Sequence, residues 1–332
     1  MTEHNGVMIY GEVIEGKLAS ITTELLGIGR KLADELGQEL SAILIGSDIS
    51  SHASEIISFG ADKVYLIDKP ELKDYRTDSH INVMENMCKQ IMPQIVLLGQ
   101  TNTGRDLAPR LAFRLGTSVA MGVIELAIDP DSKLLLQTKP VYGGNAQIII
   151  TTDQKPQIAT VRPKSMSPLE PDNARQGEII KFDPTADLSA VRTKVIQKVK
   201  AEVTGIKLED AEVVVTGGRG IGGAEGFKQL EELANLFKGA VGSSRPPVDD
   251  GWVPESMQVG LTGKIVAPNL YLAVALSGSS QHMSGCSGSK NIVAINKDPE
   301  ANIIKLSRYA VIGDWKKVIP ALTTKVKELL EQ

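Results

Sequence analysis

Ala211-Glu-Val-Val-Val-Thr216, opening through Gly217-Gly-Arg-Gly-Ile-Gly-Gly223 into a helix-period segment over residues 224–237, is the part of this chain that decides its fold. A β-branched run that passes through a small-residue turn into a helix is the repeating unit of a parallel, doubly wound sheet. Three more small-residue loops follow: Val241-Gly-Ser-Ser-Arg-Pro-Pro-Val-Asp249, Gln258-Val-Gly-Leu-Thr-Gly-Lys264 and Leu276-Ser-Gly-Ser-Ser-Gln-His282. Glycine and hydroxyl residues let backbone N–H groups approach a phosphate closely. Four such loops in one half of the chain point to a large dinucleotide lying across strand ends.

Working outward, strands are expected at 212–215, 239–241, 264–266, 272–276 and 291–295, with helices over 224–237 and 315–330. The N-terminal half repeats the βα pattern. Strands are expected at 7–10, 40–45, 63–67 and 95–98, and helical stripes over 17–36 (ending at Gly37), up to Phe59, over 81–91 and after Gly104. Beyond Gly116 the pattern turns β-rich (119–128, 133–139, 146–151 and 157–162), which implies an antiparallel extension on the sheet edge. Residues 165–188 carry Pro168, Pro171 and Pro184 and read as a linker or a traversing loop rather than a helix. The expected class is α/β with two mostly parallel, doubly wound domains, 1–195 and 196–332, the boundary lying near residues 190–202. No internal repeat or low-complexity tract is evident.

Composition excludes several function classes. The 332 residues carry 36 basic and 40 acidic side chains, a formal net charge of −4, so there is no basic field for nucleic acid and no polybasic membrane anchor. Two cysteines, Cys88 in a helical pattern and Cys286 in a Gly/Ser loop, make neither a disulfide framework nor a zinc or iron–sulfur ligand set. No apolar run reaches the roughly 20 residues of a membrane span, and the start lacks a signal-peptide pattern, so the expected location is cytoplasmic.

Gly218-x-Gly-x-x-Gly223 satisfies a dinucleotide fingerprint, yet the following strand ends in Ser243, Ser244 and Arg245, where an NAD enzyme needs an acidic residue for the ribose. Arginine there suits NADP or another cofactor, and the glycines alone also suit a plain tight turn. Pro246 and Pro247 make the turn carrying Arg245 stiff, as a residue that must hold position requires. His282 alone among the four histidines sits in a small-residue loop after a strand. No second histidine or carboxylate lies close by in sequence, so tuning of a bound group is the expected use rather than metal binding.

Four ordered motifs carry a family resemblance: Val241-Gly-Ser-Ser-Arg-x-x-Val-Asp-x-Gly-Trp252-Val-Pro, Gln258-Val-Gly-x-Thr-Gly-Lys-Ile-Val-Ala-Pro268-x-Leu-Tyr271, Ser277-Gly-x-x-Gln-His282 and Ile-Val-Ala-Ile-Asn-Lys-Asp-Pro299. Together they resemble the alpha subunit of electron transfer flavoprotein, densely over 212–320 and more diffusely before it. The resemblance implies FAD in the second domain, with Arg219 and Ser244 touching it. Val259, Gly260, Leu261 and Thr262, and then Ser277, Gly278, Ser279, Ser280, Gln281 and His282, would wrap it, with Asn296 and Asp314 at its adenosine end. It casts His282 as the group that stabilises negative charge near N1 and the C2 carbonyl of the ring, and Arg245 as a fixed cation beside it. Leu261 replaces a frequent Gln, and Pro246-Pro247 a usual small pair. The resemblance further implies a heterodimer with an electron transfer flavoprotein beta subunit, exchange with acyl-CoA dehydrogenase or a membrane quinone oxidoreductase, and in some members bifurcation from NADH to ferredoxin or flavodoxin. An NADP-dependent dehydrogenase or transhydrogenase-like module, and a non-redox nucleotide sensor, stand as alternatives.

Overall fold

Val-Met-Ile-Tyr-Gly forms β1 (Val7–Gly11) and is buried throughout, as a strand covered on both faces by helices must be. The structure, a computed structural model, describes residues 4–144, 146–184, 191–199 and 206–330. The chain divides into two compact units, Met1–Pro140 with Gln147–Lys198 and Val141–Ala146 with Val199–Gln332. The boundary expected near 190–202 falls partly outside the described residues, which resume at 191–199 and then at 206.

In the first unit a small hairpin, β2 (Val13–Ile14) and β3 (Lys17–Leu18), precedes α1 (Ser20–Leu36), so the helix starts three residues later than its apolar stripe implies. Gly37 ends it in the left-handed conformation, φ 64°, that favours glycine. The chain then alternates β4 (Leu40–Gly46), α2 (His52–Ser58), β5 (Lys63–Asp68), α3 (Thr77–Ile91), β6 (Ile95–Gly99) and α4 (Asn102–Leu115). Next come β7 (Val119–Val123), β8 (Glu125–Ile128), β9 (Leu135–Val141), β10 (Ala146–Ile150), β11 (Gln157–Val161) and β12 (Glu178–Lys181). The main sheet has the order β12-β5-β4-β1-β6-β11-β7, and its described pairings are parallel. Residues alternate between two cores, Val7 and Ile9 facing α1 while Met8 and Tyr10 face α3 and α4.

Two expectations are corrected here. The β-rich stretch is not an antiparallel extension of the sheet edge: β7 and β11 enter the main sheet in parallel, and β8, β9 and β10 form a separate sheet. The proline-rich segment is not all linker, because Glu-Ile-Ile-Lys forms β12 and completes the sheet beside β5. A four-residue run among prolines carries too little periodicity to show this in sequence.

The second unit contains β13 (Val213–Gly217), α5 (Ala224–Leu236), β14 (Ala240–Ser243), α6 (Arg245–Asp249), β15 (Leu270–Val274) and α7 (Ser280–Cys286). It continues with β16 (Ile292–Asn296), α8 (Asn302–Leu306), β17 (Tyr309–Ile312) and α9 (Trp315–Leu330). The sheet is parallel in the order β14-β13-β15-β16-β17, so the connections diverge between β13 and β15. That switch point leaves a crevice beyond the strand C-termini, where ligands of such sheets bind. Val215, Leu272, Val274 and Ile295 pack against α5 and α9 on one face, while Tyr271, Ala273 and Ala294 pack against Met283 and Cys286 of α7 on the other.

Residues 264–266, expected as a strand, make only an isolated bridge at Lys264; the Val266 N–H is taken by the Gly285 carbonyl at 2.8 Å instead of by a sheet neighbour. Arg245-Pro-Pro is not a turn but the first turn of α6, the place where proline is accommodated because its missing N–H is not needed. The Ser277–His282 loop continues into α7, whose Ser, Gly and His residues are weak helix formers and hide it from periodicity.

Candidate functional site

The loops that leave β13, β14, β15 and β16 surround a cavity of about 650 Å³, within the range of small-molecule and cofactor sites. After β13, Arg219 and Gly220 line it; after β14, Ser244, Arg245, Pro246 and Asp249. Gln258, Val259, Gly260, Leu261 and Thr262 form a third wall, and Ser277, Gly278, Ser279, Gln281 and His282 a fourth. Asn296, Asp298 and Ala301 close the end beyond β16. Thirteen of the expected site residues are thereby brought together.

Ser280 and Asp314 do not line the cavity. Ser280 sits where a side chain on Gly143 would press, 2.9 Å from its Cβ, and Asp314 accepts from the Lys316 N–H at 3.0 Å at the start of α9. Sequence reading misses Gln258, Asp298 and Ala275. The first two stand inside quoted motifs, whereas Ala275 is marked only by its backbone, φ 51°, a left-handed conformation that a non-glycine residue adopts at a cost.

The walls are held by specific contacts. A Cβ on Gly218 would lie 2.3 Å from the Ala275 carbonyl oxygen, and the Trp315 indole donates to the Gly220 carbonyl at 3.0 Å, so the glycine turn is clamped between β15 and α9. A Cβ on Gly285 would lie 2.4 Å from the Gly260 nitrogen; bare backbone on both sides lets α7 meet the 258–262 wall. The Asn296 amide donates to the Leu276 carbonyl at 2.8 Å and accepts from the Asp298 N–H at 3.0 Å, tying the third and fourth strand ends together. Gln258 donates to the Thr262 hydroxyl oxygen at 2.9 Å, leaving that hydroxyl's proton for the cavity.

Electrostatically the two singled-out residues differ. Arg245 is about two-thirds exposed and pairs with Asp249, one turn on, at 3.1 Å. His282 is 5% exposed. Its Nε2 lies 2.9 Å from the Tyr271 hydroxyl, and its buried Nδ1 has no hydrogen-bond partner among the described residues. Burial pushes the imidazole down to about 4, with the Val259 backbone acting the other way, so it is neutral at physiological pH. No group of His, Cys, Asp and Glu suited to a metal occurs among the described residues, and no helix among them is long and apolar enough to cross a membrane.

Two family models match the chain, the electron transfer flavoprotein domain over residues 7–187 and the electron transfer flavoprotein FAD-binding domain over residues 207–287. The chain is 44% identical to an electron transfer flavoprotein subunit alpha of Thermoanaerobacterium thermosaccharolyticum, across 99% of this chain and 100% of that one. The chain belongs to the electron transfer flavoprotein alpha-subunit family. It is also 36% identical to the acryloyl-CoA reductase electron transfer subunit beta of Anaerotignum propionicum, over 97% and 95% of the two chains. With the lactate dehydrogenase (NAD(+),ferredoxin) subunit LctC of Acetobacterium woodii it shares 34% identity, over 98% of this chain and 77% of the other.

FAD is the cofactor of this electron transfer flavoprotein domain, and the cavity suits it. An orphaned buried imidazole nitrogen calls for a polar ligand group, and Gly260, φ 147° with the Gln281 carbonyl 3.1 Å from a Cβ position, keeps that wall free of side chain. The nicotinamide reading of the glycine fingerprint gives way: Gly218 and Gly220 are accounted for by their packing on Ala275.

Proposed function

We propose that the chain is the FAD-bearing subunit of a heterodimeric electron carrier, completed by an electron transfer flavoprotein beta subunit, that takes electrons from an acyl-CoA dehydrogenase or a related flavoenzyme. The observation that carries this reading is a cavity at the switch point of the second unit, lined by the four family motifs, with one buried histidine nitrogen left to a ligand. Bound FAD supplies reversible one- and two-electron chemistry that no side chain of this cavity offers. The chain's own residues would hold and tune it: the loop backbones would bind, Thr262 would present a hydroxyl, Asp298 could accept from a sugar hydroxyl, and His282 would offer its imidazole to the flavin ring. Asp314, implied at the adenosine end, does not line the cavity and accepts from the Lys316 N–H at the start of α9.

Arg245 is the fixed cation of this reading, but its exposure limits what it can do. Even at about 4 Å, a unit charge in water is worth about 1 kcal/mol, or about 20 mV for a two-electron couple. Arg245→Ala is therefore expected to lower the flavin potential by no more than about 20 mV, measured by redox titration. A shift several times larger would show that the arginine is desolvated in the assembled protein.

Co-expression with the cognate beta subunit is expected to give a one-to-one yellow complex with much higher flavin content than this chain produced alone. Only 4% of the residues are aromatic, few to enclose an isoalloxazine without a partner surface. Full FAD retention by this chain as a monomer through gel filtration would contradict the heterodimer. The name of the Acetobacterium woodii relative, with NAD(+) and ferredoxin, supports a second reading in which the pair divides electrons from NADH between ferredoxin or flavodoxin and a higher-potential acceptor. Two FAD per heterodimer and NADH-driven reduction of ferredoxin would establish that version; one FAD and no such reaction would establish the simple carrier.

A further inference from the structure

Tyr271 is fully buried in β15, on the face of the sheet covered by α7, and is absent from the cavity lining. Its hydroxyl meets Nε2 of His282 at 2.9 Å, with the two rings tilted and their centroids 6.1 Å apart. The other ring nitrogen, Nδ1, completes no hydrogen bond among the described residues, and the backbone of Val259, which lines the cavity with His282, acts on the imidazole. We propose that Tyr271 is a positioning residue: its phenol donates to Nε2 and fixes His282 as the tautomer that carries its proton on Nδ1, so that the ring offers the cavity a donor and never an acceptor.

Three observations carry this. A phenol is a stronger acid than a neutral imidazole N–H, and an imidazole nitrogen a stronger base than a phenol oxygen, so O–H to N is the favoured sense of the 2.9 Å contact. The Val259 backbone favours a protonated ring, as a nearby acceptor does, so a bare lone pair on Nδ1 is disfavoured there, while no hydrogen bond among the described residues claims the Nδ1 proton from the cavity. Thr216 and Cys286 both stand next to the phenol oxygen: the Cys286 thiol is directed to the His282 carbonyl at 3.7 Å, whereas the Thr216 hydroxyl, which completes no hydrogen bond among the described residues, can donate to the phenol oxygen once the phenol proton is committed to His282. Burial keeps both partners in the required form, the phenol protonated and the imidazole neutral. Donor-only character matches a ligand edge made of carbonyl oxygen and a nitrogen that gains negative charge; that last step rests on the cavity being the FAD site.

The test uses the co-expressed heterodimer with histidine-selective ¹⁵N labelling, the His282 signals being identified by their absence from His282→Gln. The oxidised wild type is expected to show one protonated nitrogen, Nδ1, and one bare nitrogen, Nε2. Tyr271→Phe is expected to lose that signature, through mixing of the two tautomers or a switch to Nε2–H, and to lower the flavin potential while FAD content stays near wild type. A wild type protonated on Nε2 would overturn the proposal whether or not the variant folds. So would a Tyr271→Phe protein that keeps the Nδ1–H tautomer, or one that loses it with the potential unchanged. Loss of the tautomer signature in a heterodimer that carries no FAD at this cavity would overturn the cofactor reading and leave the action of Tyr271 on His282 standing.

Discussion

Gly285→Ala is expected to strip FAD from the protein while Gly288→Ala leaves it in place. The added methyl at 285 would lie 2.4 Å from the Gly260 nitrogen and 2.5 Å from its Cα, backbone atoms that cannot rotate away. α7 and the 258–262 wall must therefore separate, and these are two sides of the cavity. Alanine gains at most about 1 kcal/mol of helix preference over glycine, whereas forcing extra volume into a close contact costs about 1–3 kcal/mol. The clash wins, and the displacement falls on the cofactor site. At Gly288 the nearest atom to a Cβ is the Ala267 methyl at 3.4 Å, ordinary contact, so that variant serves as the matched control. Flavin-to-protein absorbance ratio and thermal unfolding of the two purified variants check this. Equal flavin content would show that the α7 contact does not shape the site.

His282→Ala is expected to lower the flavin potential by about 30–60 mV, with the cofactor retained. A hydrogen bond to a group that becomes charged is worth about 1.5–3 kcal/mol, and 30 mV corresponds to about 1.4 kcal/mol for a two-electron couple. Retention follows because the remaining walls, from Arg219 to Asp298, bind independently of this side chain. The pH behaviour follows from burial. An ordinary histidine would add a step near neutrality, but burial pushes His282 down to about 4, so it is neutral across pH 6–8 and contributes no step there. Its protonation begins only as pH falls toward that value, where the added positive charge raises the potential of the wild type relative to the variant. A wild-type-minus-variant difference that bends near pH 6.5 would show instead that the imidazole titrates in its bound setting. The larger effect expected of His282 than of Arg245 reverses the weight that charge alone assigns, because a desolvated neutral donor outweighs an exposed cation paired with Asp249.

Much of the fold and of the site can be read from the residues, for identifiable reasons. Strands buried on both faces, such as Val7–Gly11 and Val213–Gly217, are apolar runs ended by glycine, and α1 and α9 have unbroken apolar stripes. The glycine and serine loops after successive strands mark the cavity because parallel topology places strand C-termini side by side. What cannot be read is held by contacts distant in sequence. Lys264 to Val266 has strand composition, but the Val266 N–H is bonded to α7. Glu178–Lys181 becomes a strand only because β5 offers an open edge. Thirteen of the fifteen expected site residues share the cavity, whereas Ser280 belongs to a motif whose neighbours line it while it packs at Gly143, and Asp314 lies beyond the four motifs, at the start of α9. The Tyr271–His282 contact spans eleven positions and two elements, and no local pattern announces it.

An anaerobic redox titration of the purified heterodimer, run beside its Gly285→Ala variant, tests the central claim most directly. The account predicts a flavin absorbance in the wild type that bleaches on reduction, returns on oxidation and accompanies one extractable FAD held by this subunit, with that FAD missing from the variant. A wild-type complex without flavin, or one whose flavin content and potential are untouched by Gly285→Ala, would contradict it.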